Sequence, residues 1–514
     1  MSHRHPATEI ELKLRVAPDA IRRLAAHPLL KGRGHPVSRR LHSVYYDTPA
    51  LDLLRQGIGL RVRKEGGAWV QTVKGGGTVR AGLHERAESE AQVAGPEPDL
   101  DRIEDKTFAA ALQRPRIRDA LRPVFVTDFR RSRRVLEPGD GTIIEASIDR
   151  GVIRSGEQVE PLAELELELK GGDGAQLYAL ALRLQKDVPL ALESRSKAAR
   201  GYALQGADQA SPVKARAAVL NPGMSVSDAF KTVMWANLAH LHANERGMLG
   251  GADPEFLHQI RVALRRLRSA IGVFSPPVPE AETEPLARDL KWVASRLGPA
   301  RDWDVFVAET LPPIEAEFGA HGELRAFGGR CRALRRKANA RARRTVRSPR
   351  YQRLLLRLAG WILGESWRAS TQAPAGDALQ RPVTEFATLV LEKRYQQARR
   401  RGRGLAKRSP AELHRLRIAI KRFRYATDFF VSLYEGKTPG KSLKRLGRLQ
   451  DILGAMNDAA TVAGLLTQGF EGARGKRVLE AKGILLGWSR GRAVTLKREL
   501  KGAWKEFRAA EKFW

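Results

Sequence analysis

Residues 162–170 read Leu-Ala-Glu-Leu-Glu-Leu-Glu-Leu-Lys, with carboxylates and leucines in strict alternation. A segment like this suits a β-strand whose leucines enter a core while Glu164, Glu166 and Glu168 share the opposite face. The pattern returns near the start of the chain. There Glu9, Glu11 and Lys13 alternate with Ile10, Leu12 and Leu14. Arg61 with Arg63, and Arg131 with Arg133, are further pairs that each point to one face of a strand. One such strand is ordinary for a half-buried antiparallel sheet. Several of them, with opposite signs, ask for a shared interior.

Strand-like stretches at 9–15, 59–63, 69–74, 85–93, 142–148 and 162–170, separated by glycine-rich turns, fill the chain to about residue 205. From about residue 225 apolar residues recur three and four apart, the period of amphipathic helices. Residues 206–222 lie between, with Pro212, Pro222 and no sustained period, and read as a linker. The expected architecture is therefore α+β and multidomain: 1–205 strand-built, 223–514 all-helical. The helical part repeats itself. The segment starting His258-Gln259-Ile260-Arg261 is echoed at His414-Arg415-Leu416-Arg417, and Leu297-Gly298 with Asp302 recurs as Leu453-Gly454 with Asp458. Two motifs sharing an offset of 156 residues imply two helical bundles, about 223–370 and 380–514.

Charge narrows the partners. The 514 residues include 91 Lys and Arg against 57 Asp and Glu, a formal net charge of +34. Residues 1–200 contribute +6 and the remainder +28, so the excess sits in the helical part. Such a field favours a polyanion, whether nucleic acid, anionic membrane or polyphosphate, because counterion release drives binding whatever the polymer. Runs such as 341–347 serve equally well as solvated helix faces. The single cysteine, Cys331, excludes an intrachain disulfide and a four-cysteine zinc site, and fits a reducing, cytoplasmic setting. No signal peptide or membrane span is expected: the most apolar run, 354–363, is short and contains Arg357.

If the charged strand faces line a closed barrel, carboxylates and cations meet in an interior that tolerates them only when ions fill it. A divalent cation with a phosphate chain meets that need, since hard oxygen ligands suit Mg²⁺ or Mn²⁺ and forked guanidinium donors suit phosphate. The Glu9-x-Glu11-x-Lys13 opening, Leu60-Arg61-Val62-Arg63, Thr72-Val73-Lys74, the Glu164-to-Lys170 strand and Ser196-Lys197-Ala198-Ala199-Arg200-Gly201-Tyr202 together resemble a CYTH domain, one of the triphosphate tunnel metalloenzymes. The resemblance covers about residues 5–204 and implies an eight-stranded antiparallel barrel binding a triphosphate and Mg²⁺ or Mn²⁺. It implies metal ligation by Glu9, Glu11, Asp149, Glu164 and Glu166, with Glu168 open as a shift of register and Glu145 and Glu88 as lesser candidates. It implies phosphate contacts from Lys13, Arg61, Arg63, Lys74, Arg131, Arg133 and Lys197. Glu9, Glu11 and Lys13 would carry catalysis by metal-assisted in-line attack of water, and Ser38, Thr72 and His84 are given no role.

In the helical part His258, Arg261, Arg265 and Arg268 fall on one helix stripe, and His414, Arg417, Lys421 and Arg424 repeat it. Four cations in a row repel each other, so the duplication suggests an anionic ligand. These motifs resemble a CHAD domain over about residues 223–514, which implies two four-helix bundles around a basic groove for inorganic polyphosphate. Lys421 departs by standing where the first copy has Arg265. Asp302 and Asp458 read as helix caps or supports for the arginines. The combination resembles bacterial inorganic triphosphatases, in which polyphosphate binding would concentrate substrate or place the enzyme on polyphosphate granules. Thiamine triphosphate, or ATP cyclised as in class IV adenylate cyclases, is the alternative substrate, with Tyr45, Tyr46 and Trp69 available to line a mouth. A non-enzymatic nucleic-acid binder is disfavoured by an aromatic content of only 6% and by core-like positions for Trp292 and Trp303.

Overall fold

Among the described residues there are nine strands, six of them grown from the alternating segments: β1 (Thr8–Val16), β2 (Val37–Asp47), β3 (Ile58–Glu65), β4 (Ala68–Arg80), β5 (Leu83–Val93), β6 (Arg122–Gly139), β7 (Thr142–Ser155), β8 (Gln158–Gly171) and β9 (Leu190–Leu192). They pair antiparallel in the order β5-β4-β3-β2-β6-β7-β8-β1, and a further β5–β1 pairing closes the ring into an eight-stranded barrel. The short β9 adds to the far end of β1, Leu14 opposite Leu192. Closure removes the open edges that a sheet of this size would expose. The computed structural model describes residues 8–32, 36–206, 211–251, 253–275, 277–319, 322–369 and 375–514.

The alternation works as the sequence demands. Leu12, Leu14, Leu165 and Leu167 are fully buried on the outer face of the barrel wall, under helical cover. Another part of that outer face, with Leu60, Val62 and Val73, packs on Leu100, Ile103, Phe108 and Leu112 of the β5–β6 connection. β2, β6 and the three-residue β9 lie outside the stretches whose alternation marks them as strands. In β6, Arg130, Arg131, Arg133 and Arg134 are interrupted only by Ser132, so charge falls on both faces and the period-two signal disappears.

Besides four short α-helices between the earlier strands, this unit's own sequence ends in two more, α1 (Ala175–Leu184) and α2 (Lys197–Leu204). α2 starts at Ser196, whose side chain accepts from the Ala199 N–H. It plugs the barrel: Tyr202 joins Leu41, Tyr45, Phe125 and Phe129 in one cluster, and Phe125 and Phe129 share the inward parity of Arg131 and Arg133. Gly201 is required there, because a Cβ would stand 2.2 Å from the Phe125 ring.

The remaining long helices are α3 (Val226–Gly250), α4 (Pro254–Phe274), α5 (Glu280–Val305), α6 (Leu311–Phe318), α7 (Gly322–Arg347), α8 (Pro349–Gly364), α9 (Val383–Arg401), α10 (Pro410–Phe430), α11 (Thr438–Gly469) and α12 (Lys476–Arg508). The chain divides into two compact units, one of Met1–Ser211 with Pro349–Gly364, the other of Pro212–Ser348 with Glu365–Trp514. Thus α8, from within the stretch read as the first helical copy, belongs with the barrel. It packs on α1 and β9: Gly360 meets Tyr178, Gly364 meets Ala175, and Gln352 accepts from the Leu192 N–H.

In the helical unit α3, α4, α5 and α7 form one four-helix set and α9, α10, α11 and α12 the other, joined through α4 and α10 and through an apolar core that α5, α6 and α7 share with α11 and α12. The two motif helices begin alike. Asp253 caps α4 ahead of Pro254, and Ser409 caps α10 ahead of Pro410 in a capping box with Glu412. Of the expected linker, 207–210 lie outside the described residues. Val213 is held by Asn244 and His240, and Leu220 by Ser432, so that part is packed on helices rather than free.

Candidate functional site

The barrel holds a cavity of about 390 Å³. Glu9, Glu11 and Lys13 of β1 reach it beside Glu166 and Glu168 of β8, with Arg61, Arg63, Lys74, Arg131, Arg133 and Lys197 around the same wall. Antiparallel pairing makes this convergence: Lys13 lies opposite Glu166 and Glu11 opposite Glu168, while Arg131 lies opposite Asp149. Glu11, Glu166 and Arg63 therefore face one interior.

Two charge networks divide the wall. At the plugged end Lys197 binds Asp149 at 2.7 Å and Glu166 at 2.9 Å and also pairs with Glu164, while Arg131 forks onto Asp149 at 2.8 and 2.6 Å and reaches Glu166. Lys13 joins Glu166 and, at 2.7 Å, Glu11. Asp149, Glu164 and Glu166 bring carboxylate oxygens within 4.8 Å of one another. Towards the other side Lys74 joins Glu9 and Glu88, and Arg61 stands 3.9 Å from Glu88 and Glu90. Asp149 and Glu164 do not border the cavity; they lie beneath it, and Arg200 also holds Glu164 at 3.0 Å.

The protonation states follow. Burial opposes charge on Lys13 and Lys197, yet the surrounding carboxylates raise both above the ordinary lysine range. Burial likewise opposes Glu166, but Lys13, Lys197 and Arg131 hold it far below the usual carboxylate range. Glu164 goes the other way, burial outweighing Lys197. Arg63 is the exception among the cations. Burial, then Arg61 and Arg131, push it down to about 9, and among the described residues no carboxylate pairs with it; it donates to Ser43 at 3.0 Å. A cation so placed lacks an anion.

A second cavity, of about 560 Å³, lies in the helical unit. His258, Arg261 and Arg265 of α4 face Arg417 and Lys421 of α10 across it, and Asp302 and Asp458 line it from α5 and α11. A π-helical turn at Phe306–Thr310 forms part of its rim. Arg265 is steadied by the Tyr425 hydroxyl at 3.0 Å. Burial, then Arg301, push His258 down to about 4, and burial, then Arg417 and Arg265, push Lys421 down to about 7. Three of the eight stripe residues stand elsewhere. Arg268 is exposed, Arg424 does not border the groove, and His414 lines a neighbouring cavity, its Nδ1 3.1 Å from Asn457 Oδ1. Arg268 and Arg424 are ten residues beyond their histidines, about 15 Å along the axis, which carries them past the groove.

Residues 7–202 match the CYTH domain family and residues 232–467 match the CHAD domain family. The crystal structure of the CHAD domain from the plant Ricinus communis is 31% identical, covering 59% of this chain and 99% of that one with a TM-score of 0.51. The chain joins a CYTH domain to a CHAD domain. An inorganic triphosphatase of Haemophilus influenzae is 34% identical over 206 residues, 38% of this chain and 54% of that protein, so the match spans about half of its length. A putative adenylyl cyclase from Hippeastrum with a dominant triphosphatase activity matches 38% of this chain and 95% of its own at 21% identity and a TM-score of 0.27.

The CYTH cavity also includes Arg39, Arg86, Glu90 and Lys170, which the sequence reading passed over. Arg86 and Glu90 share the parity of Glu88 on β5, and Arg86 lies opposite Glu9, so alternation alone pointed to them. Of the proposed mouth aromatics only Tyr45 borders the cavity. Tyr46, one residue on, turns outward and donates to the Pro96 carbonyl at 2.9 Å, while Trp69 packs on the outer apolar cluster.

Proposed function

We propose that the CYTH barrel hydrolyses inorganic triphosphate with the help of a divalent cation, and that the CHAD groove binds inorganic polyphosphate. The observation that carries the first part is a cavity inside the closed barrel in which, among the described residues, Arg63 pairs with no carboxylate amid Arg61, Lys74 and Arg131. The likeness to an inorganic triphosphatase supports the same reading. The convergence of His258, Arg261, Arg265, Arg417 and Lys421 from both repeats supports the second.

The donor set fits Mg²⁺ or Mn²⁺, for hard carboxylate oxygens stand both on the cavity wall and in the cluster beneath it, and Glu166 belongs to both. Glu9, Glu11 and Glu166 would hold the cation, with Asp149 and Glu164 as the inner members of the set. Bound there, it would polarise phosphate oxygens and lower the pKa of water. Arg61, Arg63 and Lys74 bind the phosphate chain and offset charge as the bridging bond breaks. Lys13 and Lys197 keep Glu166 ionised, and Asp149 orients Arg131 through its two hydrogen bonds. No nucleophilic side chain is needed.

Phosphate release from tripolyphosphate, longer polyphosphate, ATP and thiamine triphosphate, each with Mg²⁺ or Mn²⁺, tests the substrate. Tripolyphosphate is expected to turn over fastest and only with metal present. Faster turnover of either organic triphosphate would move the assignment to that compound.

A further inference from the structure

A third cavity of the helical unit, about 680 Å³, opens between α5 and α7 and shares no lining residue with the groove. Arg296 of α5 and Lys337, Arg341 and Arg344 of α7 surround it, against one acid, Glu471. On α7 the spacing of four and three puts the cations on one face. Among the described residues none of the four pairs with a carboxylate. The helix cannot turn that face away. Arg335 Nε donates to Asp304 Oδ1 at 2.6 Å and Asn339 to the same oxygen at 3.1 Å, clamping α7 onto α5. The basic run at 341–347 thus separates by role: Arg343 donates to the Met248 and Gly251 carbonyls at 3.2 and 3.0 Å, while Arg341 and Arg344 face the cleft.

The cleft differs from the groove in its balance of charge. Trp292, Pro299, Leu334 and Ala338 give the cleft an aromatic and aliphatic base beside a single acid, whereas in the groove Phe306, Leu465 and Trp488 stand among cations that already face Asp302, Glu309, Asp451 and Asp458. A bare phosphate chain has nothing to place on an apolar floor. A polymer carrying phosphates and planar bases has both, since every base has a π-face to stack on an indole. We infer that the α5–α7 cleft binds single-stranded nucleic acid, with Arg296, Lys337, Arg341 and Arg344 on its phosphates and bases against the Trp292 side of the floor. Trp292, core-like in the sequence pattern, is only half-buried and borders the cleft, and the low aromatic content of the chain as a whole does not weigh against the site, which needs only one indole beside several cations.

Binding of a labelled oligouridine of about 12 nucleotides to the full-length protein, followed by anisotropy between about 50 and 200 mM salt, tests the assignment. The doubly substituted Arg341→Glu/Arg344→Glu protein should bind at least about tenfold more weakly, with a log–log salt slope smaller by about two. The groove variant Arg261→Glu/Arg417→Glu should stay within about threefold of the parent. If the glutamate variant fails to fold by circular dichroism, Arg341→Gln/Arg344→Gln serves in its place. An abasic oligomer of equal length should bind about tenfold more weakly than the oligouridine. Absence of RNA binding at the lowest salt, equal losses in the two variants, or an abasic oligomer that binds as tightly as RNA would each overturn the inference.

Discussion

Glu11 and Lys421 show how neighbours set what one side chain does. Glu11 shares Lys13 with Glu166, so removing its charge leaves Lys13 paired and the barrel wall intact. Glu11→Gln should therefore lower kcat for tripolyphosphate by about 10²–10³-fold while the melting temperature moves by only a few degrees; scanning calorimetry beside a phosphate assay checks both. Lys421 occupies an arginine position of the repeat and, unlike arginine, can release its proton. Burial, then Arg417 and Arg265, push it down to about 7, against 10.5 for an ordinary lysine. Between those values the unfolded chain binds the extra proton, so this group's cost to folding is full below pH 7 and falls as pH rises. A polyanion restores the charge. Polyphosphate binding at pH 8 should take up about one proton and weaken as pH rises from 7, and Lys421→Arg should flatten the dependence. Calorimetry in buffers of different ionisation enthalpy measures the uptake directly.

At the scale of elements, α2 decides the site although it contributes one lysine to it. Asp47 accepts from the Tyr202 hydroxyl at 2.9 Å and from the Thr48, Leu53 and Leu54 N–H groups, tying the helix to the turn after β2. With Gly201 pressed on Phe125, the register of Lys197 over Asp149 and Glu166 follows. Gly201→Ala has no room and should push α2 outward, costing about 1–3 kcal/mol in urea unfolding and lowering kcat through displaced Lys197; a variant that keeps both would remove α2 from this role. The sequence signalled Lys197 by its surrounding motif, but not its partners, because Asp149, Glu164 and Lys197 meet only after three strands and a helix close. β1 and β8 were legible because one face is apolar. β6 was not, because its arginines serve the cavity on one side and the surface on the other.

For the molecule as a whole, α8 matters most. It comes from the helical stretch and completes the barrel unit, covering Tyr178 of α1 and bonding β9, whose neighbour β1 carries Glu9, Glu11 and Lys13. A fragment of residues 1–211 lacks that cover. It should bind apolar dyes and melt well below the intact chain, and a peptide of residues 349–364 added in excess should raise its melting temperature. No shift with peptide would show that the barrel stands without α8. No described helix is long and apolar enough to cross a membrane.

By itself the sequence determined the period of each region, and with it which side chains share a face: strict alternation gave barrel strands, and the 156-residue echo gave two bundles with matching basic stripes. These are local properties, fixed by backbone geometry over a few residues. Tertiary structure decided the rest: which carboxylate meets which cation, that Arg63 meets none among the described residues, that Arg268, Arg424 and His414 do not line the groove, and that α8 sides with the barrel. Each depends on strand register, helix length or packing between residues far apart in the chain, and a pattern of neighbours along the backbone carries no such distances.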